Sequence, residues 1–199
     1  ANVDTLKQIV KSSHETSTKI RPIGSCISPN GLQLADKNSK NISLKNLNKI
    51  ISIDEVNKLV TCQSGCQISQ VIEALRPYNL TIPVLASIDS QTVGGYFSIA
   101  AHGTGKSIST ADEYIKSIKL ITPAYGEMKL SRDDTGFNKI IFDVVKVGLG
   151  LFGFVTEIEF DLIPSTKLLC NTFVLTREEA IIRLPSLIEE NKYLRYMWI

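Results

Sequence analysis

The feature that most constrains this chain is a glycine-rich segment near its middle, QTVGGYFSIAAHGTGK, at residues 91–106. It holds four glycines and one of the two histidines of the chain, and Lys106 is its only charged residue. Glycine lets a backbone approach a ligand closely or adopt positive φ. Free N–H groups at a glycine turn, or at the first turn of a helix, form a concave array that holds anions. The segment therefore predicts a binding site for an anionic group.

Two common nucleotide-binding loops do not fit this segment. Residues 103–107, GTGKS, look like the end of a P-loop, but that loop requires a glycine where this chain has Ala100. It also lies between a buried strand and a helix, and residues 98–101 are a poor strand. A G-x-G-x-x-G dinucleotide fingerprint is missing from residues 91–106 as well. The anion must be held in another way.

Two further glycine segments occur elsewhere in the chain. Residues 20–31, IRPIGSCISPNG, follow an amphipathic helical pattern and offer glycine, serine and asparagine for backbone contacts to an anion. Residues 148–153, GLGLFG, form the third segment. Each glycine alone would be typical of a tight turn, but three such segments together indicate a long ligand that is contacted from several parts of the chain.

In their order and spacing, these segments resemble the PCMH-type FAD-binding domain of the vanillyl-alcohol-oxidase family. Within it, the resemblance is to the aldonolactone oxidoreductases of the plant galactonolactone dehydrogenase type, and it runs nearly end to end. The residues that carry it are 21–31, 86–88, 93–95, 101–105, 119–124 and 148–157. The joint pattern is specific, whereas any single glycine pair would be weak evidence.

The resemblance implies an α+β fold with two small α/β subdomains, at residues 1–80 and 81–164, which form an FAD-binding domain. Residues 165–199 would begin a second, cap domain over the substrate. Local patterns predict helices at 3–13 and 68–75, a hairpin around 54–57, a strand pair at 115–121 and 126–130, and an alternating strand at 154–162. After Pro164 they predict a strand at 167–175, a capping box at 176–179 that opens a helix to about residue 190, and a strand at 193–199.

The resemblance also implies which residues hold the cofactor. Residues 24–28 and 94–105 would hold the pyrophosphate and the flavin of FAD, and residues 148–155 would lie near its other face or its adenine. A flavin needs such a site because many small dipoles must hold two phosphates and a planar ring. The implied residues are Pro22, Gly24, Ser25, Cys26, Ile27, Ser28, Ala86, Ser87, Ile88, Val93, Gly94, Gly95, Ser98, Ala101, His102, Gly103, Thr104, Gly105, Gly150, Gly153 and Val155.

Three of these positions bear on the chemistry. Ile27 stands where many lactone oxidases of the family carry a histidine bonded to the flavin, so the resemblance implies non-covalent FAD. Ala86 stands where alanine marks dehydrogenases and glycine marks oxidases; its methyl group would keep oxygen from the flavin, and the acceptor would then be one such as cytochrome c. Ordinary packing is the alternative for Ala86. His102 could tune the cofactor, but a structural role is the favoured interpretation.

Composition argues against several other functions. A net charge of +2 over 199 residues, with dispersed lysines, disfavours nucleic acid and anionic membrane surfaces as partners. The longest apolar stretch, near 144–155, is interrupted and falls short of the roughly 20 residues that span a bilayer. The four cysteines lack zinc-site spacing, so we expect no metal and free, mostly buried thiols. We expect Asp89, Asp112 and Glu113 to be surface or capping carboxylates.

The predicted function is the FAD-binding part of a galactonolactone dehydrogenase-like flavoprotein that oxidises an aldono-1,4-lactone in an ascorbate-type biosynthesis. In such enzymes, a glutamate and an arginine of the second domain contact the lactone, so we expect no catalytic residue in this chain and little activity without a C-terminal half. That half, or a second polypeptide, would cover residues 193–199. The alternative is a non-catalytic subunit or assembly factor of mitochondrial respiratory complex I. Both interpretations imply a mitochondrial location at the inner membrane, without a transmembrane segment.

Overall fold

The largest element of the fold is a five-stranded antiparallel sheet, seen in a computed structural model that describes residues 2–198. The strands are β1 (Lys19–Ile23), β2 (Ser39–Ser43), β3 (Ile50–Asp54), β4 (Leu59–Gln63), β5 (Leu80–Thr81), β6 (Ile115–Thr122), β7 (Gly126–Ser131), β8 (Phe154–Asp161) and β9 (Ile163–Pro164). The helices are α1 (Val3–Glu15), α2 (Ile68–Leu75), α3 (Val93–Ser98), α4 (Gly136–Val145) and α5 (Arg177–Glu190). The large sheet has the order β3-β4-β8-β6-β7, and two small sheets pair β1 with β2 and β5 with β9. This is the α+β fold class that the sequence predicts.

Strand β8 lies at the centre of the large sheet. It pairs antiparallel with β4 on one side and with β6 on the other. Its side chains alternate as the sequence predicts, with Phe154, Thr156, Ile158 and Phe160 buried and the residues between them half-buried. One face of the sheet therefore belongs to the core, and the other carries polar side chains that are partly exposed.

Both predicted hairpins are present. Strands β3 and β4 pair around a turn in which the Asp54 carboxylate accepts a hydrogen bond from the backbone N–H of Asn57 at 2.9 Å. Strands β6 and β7 pair around a turn in which Thr122 Oγ1 accepts one from the backbone N–H of Tyr125, also at 2.9 Å. Such local side-chain to backbone bonds fix the turns, and the turns fix the register of the strands.

A smaller layer at the beginning of the chain holds β1. Helix α1 is capped by Asn2, whose side chain accepts a hydrogen bond from the backbone N–H of Thr5 at 2.8 Å; such a cap stabilises a helix by about 1 kcal/mol. Leu6 of α1 is buried in a small core that includes Ile121 and Phe154 of the large sheet. Strand β1 runs parallel to β2 beside this core and forms the start of the first glycine segment, ending directly before Gly24. The packing of α1 thus helps to place that segment.

Helix α3 carries the glycine pair of the central segment and packs on the large sheet. Val93, Tyr96 and Phe97 are at most 1 % exposed, and the ring of Phe97 lies 4.8 Å from the ring of Phe160 on β8. Residues three and four apart share one face of a helix. The two glycines and the serine of α3 therefore lie outside this buried aromatic face.

The helices agree with the sequence except for α3 and α4, neither of which the local patterns predict. The predicted α2 is found, α1 is slightly longer than expected, and the capping box of Thr176 and Glu179 opens α5. Local patterns do not predict α4, because its apolar residues face both ways: Phe142 is buried, whereas Phe137 and Ile140 are exposed. Within residues 2–198, no helix is long and apolar enough to cross a membrane.

The two strands predicted after Pro164 are wrong. Residues 167–175 form no regular element, and Leu169 and Val174 are 88 % and 95 % exposed. The strand predicted at 193–199 is reduced to a single bridge between Tyr193 and Gly105, and Ile199 lies outside the described residues. Both segments have apolar, strand-like sequences. A strand needs a neighbour for its N–H and C=O groups, and the described part of the chain supplies none here.

The large sheet takes strands from both sides of the subdomain boundary predicted at residue 80. Strands β3 and β4 come from the first side, and β6, β7 and β8 come from the second. One hydrophobic core includes residues from both sides, such as Val60 and Phe160. The division into domains and subdomains therefore stays a prediction.

Replacing the buried Tyr96 by phenylalanine tests how α3 is held. The Tyr96 hydroxyl donates a hydrogen bond to the carbonyl oxygen of Val84 at 2.5 Å, and burial raises the pKa of Tyr96 to about 12. Because Tyr96→Phe leaves that buried carbonyl without a partner, we expect the free energy of unfolding in urea to fall by about 1 kcal/mol or more. Tyr125→Phe, at a side chain that is 63 % exposed, is the matched control. Equal stability of the two variants would contradict the prediction.

Candidate functional site

The three glycine segments meet along one groove, which we call the glycine groove. Its walls are residues 21–28 from the first segment, residues 91–92, 94–95 and 98–99 from the central segment, and residues 149, 150 and 153 from the third. Leu32, Gln33, Leu44, Ser64 and Val155 complete the lining. Segments that lie far apart in the chain thus converge on one concavity, as a long ligand would require.

Gly94 brings α3 close to the residues that follow β4. The backbone N–H of Gly94 donates to the carbonyl oxygen of Ser64 at 2.8 Å, and that of Val93 donates to the carbonyl oxygen of Cys66 at 2.7 Å. A Cβ atom added to Gly94 would lie 2.9 Å from the Cβ of Ser64. A larger residue would therefore push α3 away from Ser64, so this close approach of the two backbones requires glycine.

The third segment borders the groove next to the end of α3. The backbone N–H of Leu149 donates to the carbonyl oxygen of Ser98 at 3.3 Å, and Arg21 Nη2 donates to the carbonyl oxygen of Leu149 at 3.4 Å. Gly150 has a φ of +73°, and a Cβ atom added there would lie 2.7 Å from Pro22 Cγ. Hydrogen bonds and close packing thus connect the third segment to both of the others.

The first segment presents backbone donors to the groove. Ser25 Oγ donates to the carbonyl oxygen of Ser90 at 2.5 Å, which holds the segment against the central one. Cys26 has a φ of +55°, an uncommon conformation for a residue other than glycine. The backbone N–H groups of Ser25, Cys26 and Ile27 find no acceptor among residues 2–198, and neither does that of Gly95 at the start of α3. Such free N–H groups on a concave surface favour an anion.

The charge of the groove also favours an anion. Arg21 is the one charged residue among those that line it within the described chain, and no aspartate or glutamate does so. A guanidinium group presents a fork of donors that matches phosphate oxygens. The groove therefore combines one cation with several unpaired N–H groups and no acid, which is the donor set for a phosphate ester.

Buried oxygen atoms without partners mark the same groove. In the described residues, four buried side-chain oxygens lack a hydrogen-bond partner, and three of them, Gln33 Oε1, Ser64 Oγ and Gln91 Oε1, belong to residues that line the groove. Leaving a buried polar atom unsatisfied costs about 1–3 kcal/mol. A cluster of such atoms needs an explanation, and a ligand that donates hydrogen bonds in the groove is one.

The groove brings together about half of the site residues predicted from the sequence. The predicted residues that line it are Pro22, Gly24, Ser25, Cys26, Ile27, Ser28, Gly94, Gly95, Ser98, Gly150, Gly153 and Val155. Those outside its lining are Ala86, Ser87, Ile88, Val93, Ala101, His102, Gly103, Thr104 and Gly105. Val93 and Ala101 are core residues, Ala86 is half-buried against the core, and Ile88 is half-exposed. Their role at a cofactor therefore stays a prediction.

The end of the central segment turns away from the groove toward the last part of the chain. The backbone N–H of Lys106 donates to the carbonyl oxygen of Lys192 at 2.7 Å, and its ammonium group lies 2.8 Å from Glu189 Oε2. Gly105 forms a β-bridge with Tyr193. His102 is exposed, and its Nδ1 lies 3.1 Å from the carbonyl oxygen of Gly103. These contacts explain why residues 102–105 are absent from the lining.

Several residues that line the groove are missed by sequence reasoning. Arg21, Gln91 and Leu149 lie within the glycine segments, so their place in the sequence could have identified them as lining residues. Gln33 and Ser64 carry no local signal. Ser64 reaches the groove only because β4 ends under α3, which is a property of the fold rather than of the neighbouring sequence.

Two expectations about individual side chains need correction. Asp112, expected to be a surface or capping carboxylate, lies in the first turn of a short 3-10 helix but is buried, and its Oδ2 lies 3.6 Å from Lys146 Nζ. Burial opposes the charge of Lys146, but its hydrogen bond to Glu113 and the nearby carboxylates raise the pKa of that ammonium group. The four cysteines are free, as expected, but only Cys62 and Cys66 are buried, whereas Cys26 and Cys170 are exposed.

A protein-family model described as an FAD binding domain matches residues 1–131 of this chain. The mitochondrial L-galactono-1,4-lactone dehydrogenase of Arabidopsis thaliana is 35 % identical over 198 residues, which is 100 % of this chain and 32 % of that protein. L-galactono-1,4-lactone dehydrogenase 1 of Oryza sativa subsp. japonica, also mitochondrial, is 35 % identical with 100 % and 33 % coverage. The L-gulonolactone oxidase of Scyliorhinus torazame is 22 % identical, with 98 % and 43 % coverage.

Solved structures of an alkyldihydroxyacetonephosphate synthase share the fold. One has a TM-score of 0.71 and 16 % sequence identity, and the match covers 82 % of this chain and 33 % of that one. At this identity, the likeness concerns the fold alone. The chain spans about a third of the length of the dehydrogenases that it matches.

Replacing Ser64 by alanine tests whether its hydroxyl lacks a partner. In protein free of any ligand, Ser64→Ala should keep or raise the free energy of unfolding, by up to about 1 kcal/mol, because an unsatisfied buried hydroxyl is removed. Ser25→Ala is the matched control, since it removes a hydroxyl that does have an acceptor; it should lower stability by about 1 kcal/mol. Urea unfolding measures both. A clear loss of stability in Ser64→Ala would contradict the assignment of Ser64 as unpartnered.

Proposed function

Since this chain belongs to the FAD binding domain family, we propose that the glycine groove binds FAD and that the protein is the FAD-binding part of an aldonolactone oxidoreductase. The observation that carries the proposal is the convergence of three glycine segments on one groove with free N–H donors, one arginine and no acid. Dinucleotides carry a diphosphate with negative charge, and this donor set suits it.

The residues that would hold the diphosphate come from the first segment and α3. The backbone N–H groups of Ser25, Cys26 and Ile27 offer donors on one wall, and that of Gly95 offers one on the other. Arg21, at the same end of the first segment, adds a cation. Donors of the backbone are fixed by the fold, so they bind a phosphate without the entropy cost of ordering long side chains.

The unpaired oxygens of the groove fit the remaining polar groups of FAD. Gln33, Ser64 and Gln91 each bring a buried oxygen that can accept a hydrogen bond, and FAD carries ribityl hydroxyls and a ring N–H that can donate one. The match between acceptors without donors and a ligand rich in donors supports FAD over inorganic phosphate, which offers no apolar body and few donors.

When bound, FAD supplies a two-electron acceptor, and the chain supplies binding, orientation and exclusion of water. Ile27 lines the groove with a side chain that has no atom able to form the imidazole link of covalent flavoproteins. We propose that FAD is held non-covalently. Holding a cofactor in one orientation is what sets the distance to a substrate, and proximity of this kind accounts for a large part of enzymatic rate enhancement.

The substrate class is proposed from the relatives that match along the whole of this chain. They are named for galactonolactone and gulonolactone, so we propose an aldono-1,4-lactone as substrate and a mitochondrial location. The catalytic glutamate and arginine that the resemblance implies have no counterpart in this chain. Lactone oxidation would therefore need residues from outside residues 1–199. No observation favours the alternative of an assembly subunit of complex I.

Release of bound flavin tests the cofactor assignment. We expect a folded preparation to show the yellow absorption of oxidised flavin and to release free FAD, identified by chromatography, after heating or acid precipitation. FAD and not FMN should be released, because the family model that matches this chain is described as an FAD binding domain. A folded protein that neither carries FAD nor takes it up when FAD is added would contradict the proposal.

A pair of glycine substitutions tests whether the glycine groove is the FAD site. Gly150→Ala and Gly136→Ala both place a side chain at positive φ, but only the added Cβ of Gly150 would meet a groove residue, Pro22; nothing lies within 4 Å of Gly136. The shared backbone strain should cost both variants about 1 kcal/mol of stability or more. Only Gly150→Ala should also weaken FAD binding, by about tenfold or more, as measured by quenching of FAD fluorescence. Equal affinity of the two variants would exclude the groove.

Ala86 is proposed to limit the access of oxygen to the flavin. Ala86→Gly should speed the reoxidation of reduced FAD by oxygen several-fold, because a methyl group is removed from a half-buried position next to the core. Ala124→Gly, in the exposed turn between β6 and β7, is the control and should leave the rate unchanged. Stopped-flow absorption measures both rates. An unchanged rate in Ala86→Gly would assign Ala86 to packing alone.

A further inference from the structure

Cys26 differs from the other cysteines in its position. It is exposed, it lines the glycine groove, and its backbone φ of +55° belongs to the region that glycine adopts most readily. Cys62 and Cys66 are fully buried in the core. Cys170 is exposed, but it lies in the irregular segment before α5, outside the groove lining. Of the exposed thiols in the described chain, that of Cys26 thus lies at the proposed nucleotide site and that of Cys170 lies away from it.

A second observation, independent of the cysteine, marks the groove as a ligand site. Ser64 is 1 % exposed, lines the groove, and has a hydroxyl oxygen without a hydrogen-bond partner. It belongs to the end of β4, far from Cys26 in the chain. A ligand that satisfies Ser64 must enter the groove, and Cys26 lines the same groove.

The neighbours of Cys26 are the groups that a bound nucleotide would need. The backbone N–H groups of Ser25, Cys26 and Ile27 have no acceptor in the described chain, and Ser25 is tied to Ser90 by its hydroxyl. Cys26 lines the groove together with Ser25 and Ile27, so a group attached to its Sγ would add bulk to the groove beside these donors. Conversely, a nucleotide in the groove would cover the thiol.

We propose that Cys26 is a covalent modification site for low-molecular-weight disulfides, and that its adduct and FAD exclude each other. Only the second part of the proposal, that the adduct and FAD exclude each other, rests on the proposed function. It makes uptake of FAD depend on the redox state of one thiol, since the groove accepts FAD only when Cys26 is free, and a bound FAD keeps Cys26 reduced.

The chemistry is thiol–disulfide exchange and is balanced in electrons. The Cys26 thiolate attacks one sulfur of the small disulfide, a new S–S bond to Cys26 forms, and the second sulfur leaves as a thiolate with the electron pair of the broken S–S bond. The proton lost by Cys26 passes to water. An excess of dithiol reductant reverses the exchange and restores the free thiol.

Counting reactive thiols tests the accessibility of Cys26. The aromatic disulfide dithiodipyridine releases a thiopyridone that absorbs light for every thiol that reacts. In flavin-free native protein we expect two thiols to react, Cys26 and Cys170, because these are the exposed ones. In the Cys170→Ser variant one thiol should react, and saturating FAD should slow that reaction by about tenfold or more, since exchange requires access to the thiol. Peptide mass mapping identifies the modified residue.

Measuring the affinity for FAD tests whether the adduct and FAD exclude each other. In the Cys170→Ser background, the adduct should weaken FAD binding by about tenfold or more, and dithiothreitol should restore it. The Cys26→Ser, Cys170→Ser double variant should show the same affinity before and after treatment, whatever that affinity is.

If native Cys26 fails to react, or reacts equally fast with FAD present, the inference is wrong. If untreated protein binds no FAD, the proposed function fails as well; if untreated and modified protein bind FAD equally, the inference alone fails.

Discussion

The packing of α3 on the large sheet is the interaction on which the groove depends. A helix of six residues has little stability of its own, because helix nucleation is costly and few bonds are gained. Here the ring of Phe97 rests on Phe160 at the centre of the sheet, and two backbone bonds attach the start of the helix to the end of β4. The same rotation that buries the aromatic face turns Gly94 and Gly95 toward the groove. Core packing and ligand access are therefore set by one helix orientation.

This arrangement divides the work between the chain and its cofactor. The walls of the groove consist mostly of glycine, serine and apolar side chains, and one arginine is the only charge among its lining residues in the described chain. No side chain there is placed as a general acid or base. Such a surface can hold and orient a ligand through backbone dipoles, and any redox chemistry would come from the ligand. The likeness to the FAD binding domain family and the chemistry of the groove thus agree.

The sequence predicts an element correctly where its local pattern is typical of that element and the fold also supplies a partner for it to pack against or pair with. The alternation of β8 and the turn residues of both hairpins are local signals, and each is confirmed. Residues 167–175 have an equally strand-like composition but lack a partner strand, so their apolar side chains are left exposed. At the site, glycine order identifies the three segments that converge. Ser64 and Gln33 cannot be found in this way, because the path of the whole chain brings them to the groove.

The central glycine segment is fixed at both ends by different parts of the protein. Its first half packs into the core through α3. Its last two residues, Gly105 and Lys106, contact residues 189–193, which lie at and just after the end of α5. The segment thus connects the glycine groove to the end of α5. Any displacement of residues 189–193 would act on the same stretch of backbone that forms one wall of the groove.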